Sequence, residues 1–263
     1  MAYLLAQISD VHIGGRTAGN GERFSAAITE INAMTRPPDL VLLTGDLTEN
    51  GSAAEWDEFR ERLSVLTVPW EAIAGNHDRN VEVLRGHRAM SAGPLQLVLL
   101  DTSNDVFTAE DASWLDAQLA LYPHTPTVLG IHQPPFETGI WWMDCVGLKG
   151  GELCEEVVRR HPQVIKVLSG HIHRPIQSNW GSCSLWVCPS TAVSIAPDLD
   201  LHHVPAETAE APMFGLHAYT GAGFVSHLVP IGASAQRVSI EDRAPKFVER
   251  LRGVQATRKS TFT

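Results

Sequence analysis

Apolar residues enter this chain in short solid runs. Residues 3–8, 40–44, 128–131 and 164–169 are each of strand length and almost wholly apolar. Between them the spacing turns helical, as with Phe24, Ile28 and Ile31 in 21–35, or Trp114, Leu115 and Leu119 in 109–121. Segments 53–66 and 152–161 complete four predicted helices, and Pro37-Pro38 and Pro123 stop the first and third. Strand and helix alternate in this way through about the first 170 residues, which is the pattern of a layered α/β fold. Beyond His173 the rhythm changes. Residues 175–180, 184–188 and 223–230 read as shorter strands suited to antiparallel pairing, while 189–221, rich in Pro, Ala, Gly and His, reads as a long irregular segment.

Most of the apolar runs end in polar residues capable of chemistry. Asp10-Val11-His12 follows the first, Gly45-Asp46 the second, and Gly75-Asn76-His77-Asp78, His132 and Gly170-His171-Ile172-His173 come later. Polar side chains therefore collect at the carboxyl ends of neighbouring strands, where open α/β sheets hold their ligands. Asp10 and His12 flank Val11, so an extended strand end turns both to one side, and His171 and His173 repeat that spacing around Ile172. Glycine at position 45 lets the backbone turn closely around a bound group. His132 precedes Gln133-Pro134-Pro135, which restricts the chain and ends its strand. Carboxylate, imidazole and amide oxygen together complete metal coordination without excess negative charge. Two cations about 3.5–4 Å apart can clamp the attacking and leaving oxygens of an in-line displacement at phosphorus.

In order and residue type these five clusters resemble the signature of the calcineurin-like metallophosphoesterases. The opening Ile8-Ser9-Asp10-Val11-His12 and the compact size are most similar to bacterial class III cyclic nucleotide phosphodiesterases and their glycerophosphodiesterase relatives, and the likeness covers roughly residues 4–190. The resemblance implies an α/β fold, a four-layer α/β/β/α sandwich with mixed sheets. It implies two metal ions, drawn from manganese, iron, zinc or cobalt, with Asp10, His12, Asp46 and His173 on the first and Asp46, Asn76, His132 and His171 on the second. Asp46 is then the bridge, and His77 a catalytic non-ligand that meets the phosphate or the leaving group beside Asn76. Asp78 is expected to brace its loop, and His217 is carried as a further substrate contact because its segment could overhang the metals. The activity implied is hydrolysis of small phosphodiesters, 3',5'-cyclic nucleotides or glycerophosphodiesters, by a metal-bound hydroxide. A nuclease or phosphomonoesterase of the same superfamily, or a non-catalytic scaffold, is the alternative.

Composition narrows this further. The 263 residues carry a net charge of −10 and a sequence pI near 5.6, which repels long polyanions and disfavours a nucleic-acid partner. Neither a signal-peptide start nor a membrane-length apolar run is present in this sequence, so a cytoplasmic location without membrane insertion is expected. Cys145, Cys154, Cys183 and Cys188 form no metal-type pairing and read as ordinary thiols. Length suits one main domain, 1–235. Residues 237–263, with seven Lys or Arg against three acids, read as part of a basic surface or oligomer-contacting tail (236–263) of a homo-oligomer. Trp141-Trp142, if on a strand, turn to opposite sides, leaving one ring for a pocket or a partner.

Overall fold

A computed structural model describes residues 2–80, 84–232 and 238–257. In chain order its elements are β1 (Tyr3–Ile8), α1 (Asn20–Asn32), β2 (Leu40–Thr44), α2 (Ala53–Leu63), β3 (Trp70–Ile73), β4 (Arg88–Ala92), β5 (Leu95–Leu100), α3 (Ala109–Leu121), β6 (Thr127–Ile131), α4 (Trp141–Asp144), α5 (Gly151–Arg160), β7 (Val164–Ser169), β8 (Ile176–Trp180), β9 (Cys183–Val187), β10 (Ser194–Ile195), β11 (Glu207–Thr208), β12 (Met213–Tyr219), β13 (Phe224–Pro230), α6 (Ile240–Arg243) and α7 (Pro245–Thr257). One sheet has the order β13-β12-β1-β2-β3 and the other β4-β5-β6-β7-β9-β8, with β10 and β11 paired alone. Both large sheets are mixed: β1, β2 and β3 run parallel, as do β5, β6, β7 and β9, while the outer strands pair antiparallel.

The solid apolar runs follow from burial on both faces of each sheet. Along β2, Val41 and Leu43 face a core shared with Phe24, Ile28 and Ile31 of α1 and Trp56 and Phe59 of α2, whereas Leu40 and Leu42 face the opposite sheet. Along β5, Leu97 and Leu99 join that central layer, and Val98 and Leu100 pack with Leu115 of α3 and Val157 of α5. Three stacked apolar layers thus separate helix, sheet, sheet and helix, which is the four-layer sandwich. Helices α2 and α3 begin in capping boxes, Ser52 with Glu55 and Thr108 with Asp111, each satisfying two otherwise unpaired amide donors.

The structure departs from the sequence reading in several places. β12 lies within the segment 189–221 expected to be irregular, because its face-alternating residues pair with β1 over five positions. β9 pairs parallel with β7 and antiparallel with β8, so the late strands are not uniformly antiparallel. Trp141 and Trp142 start a short helix, not a strand. Three of the cysteines are buried and all four are free. The expected boundary at residue 235 lies outside the described residues. Of the tail, 238–257 forms α6 and α7, with Phe247, Leu251 and Val254 exposed. Among the described residues no helix is long and apolar enough to cross a membrane.

Candidate metal centre

The parallel strands of both sheets end at one rim, and the polar clusters occupy the turns there. The turns after β1 and β2 run side by side, Asp10 N–H donating to Gly45 O (3.0 Å) and His12 N–H to Asp46 O (2.9 Å). In the second sheet the turns after β6 and β7 are tied by Gly170 N–H to His132 O (2.8 Å), and this sheet joins the first through His171 N–H to both carboxylate oxygens of Asp10 (3.0 and 3.1 Å). Close approach requires glycine at position 170, where a Cβ would press on the Ser9 hydroxyl and lie 2.8 Å from Asp10 Oδ2. It also requires glycine at position 45, whose φ is +93° and whose Cβ would meet the His132 ring.

Asp10 and His12 do come to one side, as do His171 and His173, but not by strand geometry. β1 ends at Ile8 and β7 at Ser169, and the backbone is left-handed at Asp10 (φ 54°), His12 (50°), Asp46 (51°), His171 (71°) and His173 (55°). Such conformations cost roughly 1–3 kcal/mol each in non-glycine residues and gather at functional sites. Val11 and Ile172 are buried in the two outer cores, so each turn is anchored by its apolar middle residue.

Partners on the far ring nitrogen fix where each imidazole points. His132 Nδ1 donates to Thr44 O (2.7 Å), His173 Nδ1 to Val193 O (2.9 Å) and His12 Nδ1 to the Glu49 carboxylate (2.8 Å). All three Nε2 atoms therefore face the common centre. There His12 Nε2 lies 3.1 Å from His173 Nε2, His132 Nε2 3.3 Å from Asp46 Oδ2, and His173 Nε2 3.4 Å from Asp10 Oδ1. Three donor groups result, each compact enough for one cation: Asp10, His12 and His173; Asp46, His132 and His171; and His12, Asp46 and His77.

Two features of this arrangement suit cations. Asn76 Oδ1, His132 Nε2 and His171 Nε2 are buried without a hydrogen-bond partner among the described residues, although buried polar atoms are almost always paired. His12 and His173 meanwhile turn two Nε2 lone pairs at each other, since both Nδ1 atoms are spent as donors. The electrostatics are correspondingly divided. For His132 burial favours the neutral ring, but the negative charge of Asp46 more than reverses this and lifts its pKa to about 10. Burial, with His132 next, pushes His171 down to about 4, and burial with His12 pushes His173 to about 3. Burial would raise Asp46, yet His132 first, then His12 and His77, hold its carboxyl far below the usual range. Burial raises the carboxyl of Asp10. The donor set fits two cations: carboxylate, imidazole and amide oxygen converge, and the inward-facing atoms lack other partners.

The remaining residues divide clearly. His77 donates its amide to Asp46 Oδ1 and holds its ring by Nδ1 on Glu49 O, both at 2.9 Å, with the ring edge-on to His12. Asp78 is a brace, accepting from the amides of Leu47, Thr48 and Gly75 and from the Thr48 hydroxyl. Glu49, which the sequence reading passed over, orients both His12 and His77; its only signal is its place three residues beyond Asp46. His217 is a correction. It lies on β12, wholly buried between the sheets, with Nδ1 on Ser226 (2.8 Å) and Nε2 on Gln7 (3.1 Å), and its ring does not line the cavity. The segment expected to overhang the metals contributes Ile195 and Glu207 instead. They share a cavity of about 520 Å³ with His12, Asp46, Asn76, His77, His171 and His173, and Trp142 and Met143 form another wall. The other tryptophan, Trp141, donates to His203 O (3.3 Å).

Residues 3–175 match the calcineurin-like phosphoesterase family. The chain is 31% identical, in a 256-residue alignment with gaps that covers 87% of this chain and 93% of the relative, to a probable glycerophosphodiester phosphodiesterase of Arcobacter nitrofigilis. It is 34% identical to a probable cyclic nucleotide phosphodiesterase of a Synechococcus species (73% and 82% covered). To the 3',5'-cyclic adenosine monophosphate phosphodiesterase of Escherichia coli it is 27% identical, with 74% and 75% covered. In fold it resembles a dimetal phosphatase from Danio rerio, with a TM-score of 0.62, 13% identity and 88% and 99% of the two chains covered.

Proposed function

The chain belongs to the calcineurin-like phosphoesterase family and is a phosphodiester hydrolase, and from that premise we propose that it hydrolyses small phosphodiesters, 3',5'-cyclic nucleotides or glycerophosphodiesters, with two metal ions. Asp10, His12, Asp46 and His173 hold the first ion, and Asp46, Asn76, His132 and His171 the second. Manganese, iron, zinc or cobalt suits this mixture of nitrogen and oxygen donors. The observation that carries the reading is the set of inward-facing, partnerless donor atoms at Asn76, His132 and His171, opposite the facing lone pairs of His12 and His173.

When bound, the metals would supply charge stabilisation at phosphorus and a nucleophile available near neutral pH. The chain's own residues do the rest. Asp46 Oδ2 lies 3.7 Å from His12 Nε2 and 3.3 Å from His132 Nε2, so one carboxylate adjoins both donor groups. His77, with Nδ1 committed to Glu49 O, presents Nε2 to the cavity, where the ring in its doubly protonated form can donate to a phosphate oxygen or to the departing alkoxide. Trp142, Met143 and Ile195 give the alcohol part of the substrate an apolar wall. The relatives named as cyclic nucleotide and glycerophosphodiester phosphodiesterases support the same substrate size.

Metal analysis of two variants tests the reading. Asp46→Ala is expected to lower content at both sites and abolish turnover of bis(p-nitrophenyl) phosphate, while Asn76→Ala mainly weakens the second site. Two full equivalents retained in Asp46→Ala would remove the bridge assignment.

A further inference from the structure

Behind the metal centre, a line of polar side chains, buried except for the half-buried Ser226, runs from Lys166 through Ser226, His217 and Gln7 to the last residues of β2 and β7. We infer that Gln7 is a positioning residue for one half of the centre, the Asp46, His132 and His171 group, and that its side-chain amide is held in one orientation by this relay. The inference rests on the two-metal reading given above.

Donor and acceptor chemistry fixes every link. The Ser169 carbonyl can only accept, so the group facing it at 2.9 Å is the Gln7 amide nitrogen, which also donates to Thr44 Oγ1 at 3.0 Å. That leaves Gln7 Oε1 toward His217, whose Nε2 must carry the proton across 3.1 Å. His217 Nδ1 must then accept, and it does so from the Ser226 hydroxyl at 2.8 Å. The Ser226 oxygen in turn accepts a hydrogen bond from the Lys166 ammonium, which can only donate, at 3.2 Å. The carbonyl end sets this polarity, and the ammonium end is compatible with it, because a Ser226 oxygen that accepts from Lys166 keeps its own proton for His217. Burial, with Lys166 next, keeps the His217 ring neutral as the relay requires.

The delivered end is specific. Thr44 immediately precedes Gly45-Asp46, and its carbonyl is the acceptor that orients His132. Ser169 immediately precedes Gly170-His171. One amide therefore ties the strand ends of Asp46 and His171 together across the two sheets and steadies the residue that aims His132. His12 and His173 depend on other acceptors, the Glu49 carboxylate and the Val193 carbonyl. His132 and His171 serve one metal alone, whereas Asp46 is shared, so loss of the relay should weaken that metal more than the other, an asymmetry that general loosening of the sandwich would not produce.

The test is titration of metal-free wild type, Gln7→Leu and Ser226→Ala with Mn²⁺, read as equivalents bound and their affinities, with circular dichroism as the check of folding. Removal of groups that orient metal ligands typically costs about 10–100-fold in affinity. Gln7→Leu is expected to lose on that scale at one equivalent and much less at the other, which shares only Asp46 with it. Ser226→Ala, which sits on the outer strand and releases the His217 tautomer, should give a smaller loss at the same equivalent. Nitrogen NMR of the wild type should show His217 as the neutral Nε2–H form. Equal weakening of both equivalents, no weakening in Gln7→Leu, or the Nδ1–H tautomer would overturn the inference. A folded wild-type chain that binds fewer than two Mn²⁺ would instead overturn the two-metal reading on which it rests.

Discussion

At the scale of single residues, the role proposed for His77 would separate chemistry from metal binding. Its neighbour Asn76 turns a partnerless oxygen into the centre, whereas His77 is held by Glu49 O with its ring on the cavity wall. General acid catalysis is typically worth about 10²–10⁴ in rate, so His77→Ala is expected to lose activity on that scale while both metals remain. The loss should shrink for a diester with a p-nitrophenolate leaving group, which needs little protonation. Equal losses for poor and good leaving groups would make His77 a phosphate-stabilising group, and collapse of metal content would make it a ligand. The residues converging here were legible because their types and order are dictated by what a metal accepts. Their backbone was not. Asp10-Val11-His12 reads as an extended triplet, yet Asp10 and His12 are left-handed, because the turns must bring the two sheets' ligands to one point while burying Val11 and Ile172. His217 misled for a related reason. A histidine in a Gly- and Pro-rich segment looks solvent-facing, and only its pairing with Leu5 across β1 and β12 reveals that it is enclosed.

At the scale of elements, the runs that became β1, β2 and β7 were readable because both faces are buried, leaving no polar interruption. β3 was hidden by its four-residue length and exposed Trp70, and β12 by the glycine and histidine that make room for the polar line between the sheets. β7 carries an exception of its own, Lys166, whose ammonium lies within the sandwich beside the Trp186 ring and Ser226. Burial lowers its pKa from the ordinary 10.5 to about 8. Between those values the unfolded chain holds more proton on this group than the folded chain, so folding stability contributed by it rises from pH 8 toward 10.5 and is lowest below 8. Lys166→Met is accordingly expected to raise stability near pH 7 by roughly 1–3 kcal/mol and to flatten that alkaline rise. Denaturant unfolding at pH 7 and pH 9.5 measures both effects. A variant that is less stable than wild type at pH 7 would show that the Ser226 contact outweighs the cost of burying the charge.

At the scale of the whole molecule, charge and shape act together on substrate choice. A net charge of −10 sets a repulsive field against polyanions, and the candidate metal ligands line a cavity of about 520 Å³ together with Glu207 and Arg16. The excess of basic residues lies instead in the final segment, whose described part forms α6 and α7. A polymer backbone needs a continuous cationic track to reach buried metals, and a small diester needs only the attraction of the metals themselves. The manganese-loaded enzyme is therefore expected to hydrolyse bis(p-nitrophenyl) phosphate, and at least one of the cyclic nucleotide and glycerophosphodiester classes, far faster than it cleaves double- or single-stranded DNA. The comparison belongs at low ionic strength, where surface charge is least screened and any favourable pull on DNA would be strongest. Adding salt should then leave small-diester turnover little changed. Efficient DNA cleavage at low salt, falling steeply as salt rises, would instead mean that the basic tail recruits the polymer past the acidic body, and the nuclease reading would displace the small-diester one.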